Sequence, residues 1–140
     1  MWEADRHFGP GWTTDAGAMI RDGIRSVARV GVCTEDLWPY DITAFRTKPA
    51  QECYDQAAGN RALEYQRISH SLTQMQGCLA SGLPFVFGFT VYSSFESRKV
   101  ERTGVVPMPT HGEEVVGGHA VVAVGYSNDE QRFRVRNSWG

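Results

Sequence analysis

Gly117-Gly118-His119-Ala120-Val121-Val122-Ala123-Val124-Gly125-Tyr126, then Ser127-Asn128-Asp129-Glu130, then Gln131-Arg132-Phe133-Arg134-Val135-Arg136-Asn137-Ser138-Trp139-Gly140 is the stretch that decides the fold. Two runs rich in Val, Phe and Tyr flank four residues that tolerate tight bends, which predicts an antiparallel hairpin. With the loop centred near Asn128, residue 125 faces 131 and His119 faces Asn137. Directly opposed side chains have Cβ atoms about 4.5–5.5 Å apart, within hydrogen-bonding reach for an imidazole and a carboxamide. Val121, Ala123, Phe133 and Val135 share that face, so the pair is expected at the end of an apolar stripe, partly shielded from water. A histidine oriented by a neutral carboxamide suits a thiol nucleophile, because a Cys–His couple ionises readily and the third group need only hold the ring. Spacing alone nevertheless favours the plainer account, two ordinary polar residues at strand ends.

The residues carry more than the spacing. Gly117-Gly118-His119-Ala120-Val121, with Asn137-Ser138-Trp139-Gly140 following the histidine by eighteen positions, resembles the histidine and asparagine segments of papain-like cysteine peptidases. Leu37-Trp38-Pro39-Tyr40 is similar to that family's Tyr-Pro-Tyr segment, and Gly82-Leu83-Pro84-Phe85-Val86-Phe87-Gly88-Phe89 to its Gly-Pro-Val strand. The resemblance covers most of the chain.

It implies a set of roles. His119 would be general base and acid, Asn137 would orient its ring, and Trp139 would pack over their hydrogen bond. Gly118 matches a position whose carbonyl contacts substrate beside the scissile bond. Gly17 matches a glycine whose backbone pairs with extended substrate, although the usual Gly-Gly is here Ala16-Gly17. Gly88 falls on the wall of the pocket for the second substrate side chain upstream of the cut, and a glycine there implies a roomy pocket for a bulky apolar group. The expected partner is a peptide or protein substrate, with no cofactor or metal.

The family's nucleophile lies in a Cys-Gly-Ser-Cys-Trp-like segment about 130–150 residues before the histidine. Counting back from His119 puts it roughly 11–31 residues ahead of Met1. The expectation is therefore an incomplete chain, without its nucleophile or the closing strands of the family, with the missing N-terminal segment of its own parent as a further expected partner. Two alternatives stay open: a catalytically inactive homologue that binds peptides or a partner through the same groove, and a different Cys-His-Asn acyl transferase. By resemblance the parent would be secreted, periplasmic or lysosome-like.

Composition narrows the classes further. The 140 residues can bury one modest core, and a net charge of −2 gives no general attraction to nucleic acid or acidic lipid. Arg132, Arg134 and Arg136 alternate along one strand face, a pattern that is more often a solvated face than a polyanion site. No stretch resembles a membrane span, and Met1 to His7 lacks the layout of a signal peptide. Cys33, Cys53 and Cys78 cannot all pair with one another, and no pair has zinc-ligand spacing. Cys33 follows a helix C-terminus, Cys78 sits beside Met75 and Leu79, and Cys53 lies near a helix start; none lies in a catalytic motif. His7, His70 and His111 receive no function.

Taken in order, Gly9-Pro10-Gly11-Trp12 marks a loop, and Asp15 is placed to cap a helix. That helix carries Ile20, Ile24, Val27 and Ala28 inward, turns Arg21, Asp22, Arg25 and Arg29 outward, and stops at Gly31. Residues 33–48 read as loop. Pro49 fits the first turn of a short helix to about Ala58. Leu63, Tyr65 and Arg67 alternate as a short strand, and Ser71 caps a helix from Leu72 to about Ser81, ended by Gly82. Pro84 to Tyr92 reads as a strand buried on both faces, residues 93–98 as a helical turn, and Thr103 to Gly118 as a long loop. Helices fill the first half and strands the second, an α+β fold. The expected division is 1–82, a helical part with crossover segments, and 83–140, an antiparallel β part or half-barrel carrying His119 and Asn137. Such a chain is expected to be marginally stable or to associate.

Overall fold

A computed structural model describes residues 17–139. The Asp15 cap and the Gly9–Trp12 loop lie outside the described residues. The chain forms two compact units, residues 1–67 and 68–140.

In the first unit, helix α1 spans Ile20–Arg29, with Met19 at the N-cap and no side-chain cap. Asp22 and Arg25 are half-buried rather than turned outward, while Arg21 and Arg29 are exposed as expected. Gly31 ends the helix at φ +96°, and a Cβ there would lie 1.8 Å from the carbonyl oxygen of Ala57. Both the turn and the close approach require glycine. The region read as loop holds a single-turn 3-10 helix, Ile42–Arg46, whose N-cap Asp41 accepts from Thr43 N at 2.8 Å and Thr43 Oγ1 at 2.7 Å. These bonds stabilise the Asp41 carboxylate and lower its pKa, the Thr43 hydroxyl contributing most.

Helix α2 spans Gln51–Ala57 with Ala50 at the N-cap, so Pro49 precedes the helix instead of opening it. Cys53 and Ala57, four apart and on one face, are the buried residues among those described in this unit. Leu63 to Arg67 form no strand: Leu63 is fully exposed and no neighbouring chain supplies a ladder among the described residues. Alternation supplied the faces but not the pairing a strand needs.

In the second unit, helix α3 spans Leu72–Ala80 after Ser71, which occupies the N-cap without a side-chain hydrogen bond. Gly82 stops it at φ +78°. Strands β1 (Phe85–Tyr92), β2 (Val115–Ser127) and β3 (Arg132–Arg136) form an antiparallel sheet in the order β1-β2-β3. Between β1 and β2 come a 3-10 turn, Ser93–Glu96, and a short helix α4, Arg98–Thr103, capped by Ser97.

Strand β1 is buried on one face only, contrary to the sequence reading. Phe85 and Val91 are buried and Phe87 and Phe89 half-buried, while Val86, Gly88 and Thr90 are exposed. The apolar run looked two-sided because Val86 is as hydrophobic as its neighbours, yet Val86 keeps 38 % of its surface exposed. Strand β2 starts at Val115, so part of the expected long loop is sheet.

Two bulges shape β2. One follows the pair Val91–Gly117, where Tyr92 lies opposite Val115, and the other separates Ala123–Val135 from Gly125–Arg134. Each leaves one extra residue on β2, Val116 and Val124, both about half exposed. The core of this unit is Phe85, Val91, Val121 and Ala123, the last with no exposed surface. Phe85 adds an edge-on contact to Phe133 at 6.1 Å.

Candidate active site

The hairpin tip has the expected four residues but lies one residue further along the chain. Ser127 pairs with Arg132, and the tip runs from Asn128 to Gln131, closed by Gln131 N donating to Asn128 O at 3.3 Å with Gln131 at φ +51°. Gln76 of α3 donates to the Asn128 side chain at 2.9 Å and holds the tip to the helix. Gly125 consequently faces Arg134, where the sequence reading set it opposite residue 131. His119 is paired with Phe89 on β1, and Asn137 lies just beyond the end of β3.

The two side chains meet despite the shifted register. The observed pairing of Val122 with Arg136, continued by one residue, sets Asn137 opposite Val121, two residues along β2 from His119 and on the same face. A diagonal neighbour of this kind is within reach of a ring and a carboxamide. His119 Nε2 lies 2.7 Å from Asn137 Oδ1. Oδ1 also accepts the backbone N–H of Ser138 at 2.8 Å, which fixes the carboxamide with its oxygen toward the ring. An oxygen can only accept, so Nε2 carries the hydrogen and the neutral ring keeps its lone pair at Nδ1. The turn between Asn137 and Ser138 thus selects the tautomer.

Aromatic rings flank the imidazole. Trp139 lies over it with centroids 4.4 Å apart and planes tilted by 31°. Phe89, its partner across the β1–β2 ladder, meets it edge-on at 6.0 Å, and Phe95 stands 6.4 Å away. Phe95 also contacts Phe89 and Trp139, each at 5.4 Å. The sequence reading found Trp139 and missed both phenylalanines as members of the site. Phe89 was visible in the strand as an apolar residue, but its place beside His119 depends on register. The cover is one-sided: Trp139 keeps 57 % of its surface exposed, and the hydrogen-bonded pair is not closed off from solvent.

Glu113 holds Phe95 in place. Its carboxylate accepts from Ser94 N at 2.7 Å, Thr110 N at 3.0 Å, Thr110 Oγ1 at 3.4 Å and Ser93 Oγ at 3.5 Å. Hydrogen bonds from Ser94 and then Thr110 bring its pKa down to about 2. The carboxylate therefore ties the loop ahead of β2 to the 3-10 turn that carries Phe95.

The remaining expected site residues are dispersed. Gly118, next to His119 on β2, is exposed, and the nearest atom to an added Cβ there is Phe89 O at 4.0 Å. Gly88 pairs with Ala120; each is one residue along from the Phe89–His119 pair, so they lie on the other side of the sheet, both exposed. Gly17 belongs to the first unit and has φ +72°. Cys78 donates to Leu83 O at 3.3 Å, a local bond across the end of α3. Among the described residues no group of three or more His, Cys, Asp or Glu side chains could hold a metal ion.

A basic imidazole nitrogen, a carboxamide fixed on its other nitrogen and an indole over the ring are the parts that serve a cysteine nucleophile. The chain belongs to the papain family of cysteine proteases, whose family profile matches residues 12–140. It is 42 % identical over 134 residues to an uncharacterized peptidase C1-like protein, L477, of Acanthamoeba polyphaga mimivirus, covering 90 % of this chain and 43 % of that protein. It is 31 % identical over 143 residues to a cathepsin B-like protein, CP3, of Giardia intestinalis, covering 90 % and 45 %. Among solved structures it is similar to xylellain, a cysteine protease from Xylella fastidiosa, with a TM-score of 0.83 and 37 % identity over 99 % of this chain and 56 % of that one. The chain spans less than half the length of these curated relatives.

Proposed function

We propose that this chain supplies the base and its orienting group to a papain-like endopeptidase, and that the nucleophilic cysteine comes from a segment outside this sequence. The observation that carries the reading is the His119–Asn137 hydrogen bond with Nδ1 left basic. His119 Nδ1 takes the proton of the thiol, and the thiolate attacks the peptide carbonyl. As the C–N bond breaks, the imidazolium returns that proton to the leaving amine. Water, deprotonated by His119, then cleaves the thioester to release the acid and regenerate the thiol. Asn137 keeps the ring aimed through both steps.

Substrate would lie across Gly118, whose carbonyl faces the residue beside the cut. Gly88 and Ala120 would line an open pocket for a bulky apolar side chain. None of the three cysteines present serves as nucleophile: Cys53 is buried and its thiol is pushed up by desolvation, Cys33 lies beside it, and Cys78 is engaged with Leu83 O. The 140-residue chain alone is therefore inactive. Assaying it beside the whole parent protein with a fluorogenic peptide tests this. Turnover by the parent that vanishes with His119→Ala is expected; turnover by the chain alone, lost with Cys53→Ala, would refute it. A parent with Ser or Gly at the nucleophile position would make the fold a peptide-binding module.

A further inference from the structure

Two of the three thiols lie together in the first unit, away from any role in the proposed chemistry. Cys53 and Ala57 share the buried face of α2, and residues 31–34 run across it. The crossing is fixed at three points: Gly31 packs against the carbonyl of Ala57, Val32 N donates to Asn60 O at 3.1 Å, and Thr34 N donates to Gln56 Oε1 at 2.7 Å. Two residues of outstretched chain span up to roughly 7 Å. Four residues of helix rise about 6 Å. A segment that touches α2 at Ala57 can thus bring Cys33 to the level of Cys53. The Cys33 thiol is among the groups that act on the Cys53 thiol, so the two side chains are neighbours there, and both are free thiols.

We propose that Cys33 and Cys53 are a disulfide-forming pair, oxidised by exchange with a small-molecule disulfide such as glutathione disulfide, and that the bond staples residues 31–34 to α2. Cys33 is partly exposed and Cys53 is 4 % exposed, so the order of events follows from access. The Cys33 thiolate attacks one sulfur of the small disulfide, forming a mixed disulfide and expelling one thiolate, which takes up the proton that Cys33 lost. Cys53 then gives up its proton and attacks the Cys33 sulfur, expelling the second small thiol. Two protein thiols are oxidised and one disulfide is reduced to two thiols. The bond closes a loop holding Trp38, Tyr40 and the 3-10 turn Ile42–Arg46. Cys78 lies in the other unit and takes no part.

The test uses the native chain in glutathione buffers graded from reducing to oxidising, followed by acid quench, maleimide alkylation and non-reducing peptide mapping by mass spectrometry. The expected result is loss of two alkylatable thiols with a Cys33–Cys53 linked peptide, while Cys78 stays alkylated. In Cys53→Ser the reaction should stop at a glutathione adduct on Cys33; in Cys33→Ser, Cys53 should take up far less adduct. In concentrated urea the preference for this pairing should disappear. Retention of all three thiols under the oxidising buffer would overturn the proposal. So would links through Cys78 in the native chain, or the same pairing yield with and without urea.

Discussion

Asn137 reaches the imidazole of His119 from just beyond the end of β3, with Oδ1 2.7 Å from Nε2 and the same oxygen bound to Ser138 N. The carboxamide holds the ring by one bond while its own orientation is set by the backbone. In the whole parent protein, His119→Ala should cost roughly 10²–10⁴-fold in kcat, the usual contribution of a positioned acid–base group. Asn137→Ala should cost less. Loss of one hydrogen bond to a ring that becomes charged is worth about 1.5–3 kcal/mol, or roughly 10–150-fold. Steady-state kinetics of both variants check the order; equal losses would mean that Asn137 does more than orient.

The aromatic cover makes a separate prediction. Phe95→Ala removes a ring that touches Phe89, His119 and Trp139 together. Aromatic pairs contribute about 0.5–1.5 kcal/mol each beyond their burial. The expected outcome is a loss of stability together with faster solvent exchange of the Nε2 proton, read by NMR. An unchanged exchange rate would show that Trp139 alone screens the bond.

Glu113 predicts a pH dependence whose sign is fixed. Its folded pKa of about 2 is below its ordinary value of 4.5. The unfolded chain therefore binds the proton more readily, and the contribution of this carboxylate is fully present above pH 4.5. It is lost as pH falls from there through about 2. Glu113→Gln should abolish that part of the acid sensitivity, with little change in the slope of stability against pH above the window. Thermal melts of both proteins across the acid range test it, and exchange of the Ser94 amide reports the local loosening directly.

At Gly31 two penalties coincide, a left-handed backbone and a carbonyl oxygen where a Cβ would go. Gly104 has a similar φ of +67° with open space around it. Gly104→Ala should cost about 1 kcal/mol through backbone strain alone. Gly31→Ala should cost well over about 3 kcal/mol, because Ala57 must move as well. Denaturant titration separates the two, and equal costs would contradict the close approach.

Much of the site was legible because it is local chemistry. The His119 and Asn137 segments, the Trp139 that follows and the glycine stops at Gly31 and Gly82 are each written in a few adjacent residues. Register was not legible. It depends on how many residues the tip consumes and on two bulges, at Val116 and Val124, whose side chains are indistinguishable in the sequence from paired valines. The expected opposition of His119 and Asn137 gave the right contact by a wrong register. Phe95 entered the site unseen because Glu113, some twenty residues later, places it. The Leu63–Arg67 alternation shows the converse, a strand pattern without a partner strand.

The bulge at Val124 also says where this hairpin can change length. Without that extra residue, the tip pairing of Ser127 with Arg132 would run on to set Asn137 opposite Val122, on the side of the sheet away from His119. Residues added within 128–131 lengthen the tip and leave the ladder below it alone, so foreign segments can be grafted there. A single residue inserted or deleted between Val124 and Asn137 outside the tip turns the carboxamide to the wrong side, so on this stretch lengths can change only in steps that preserve parity.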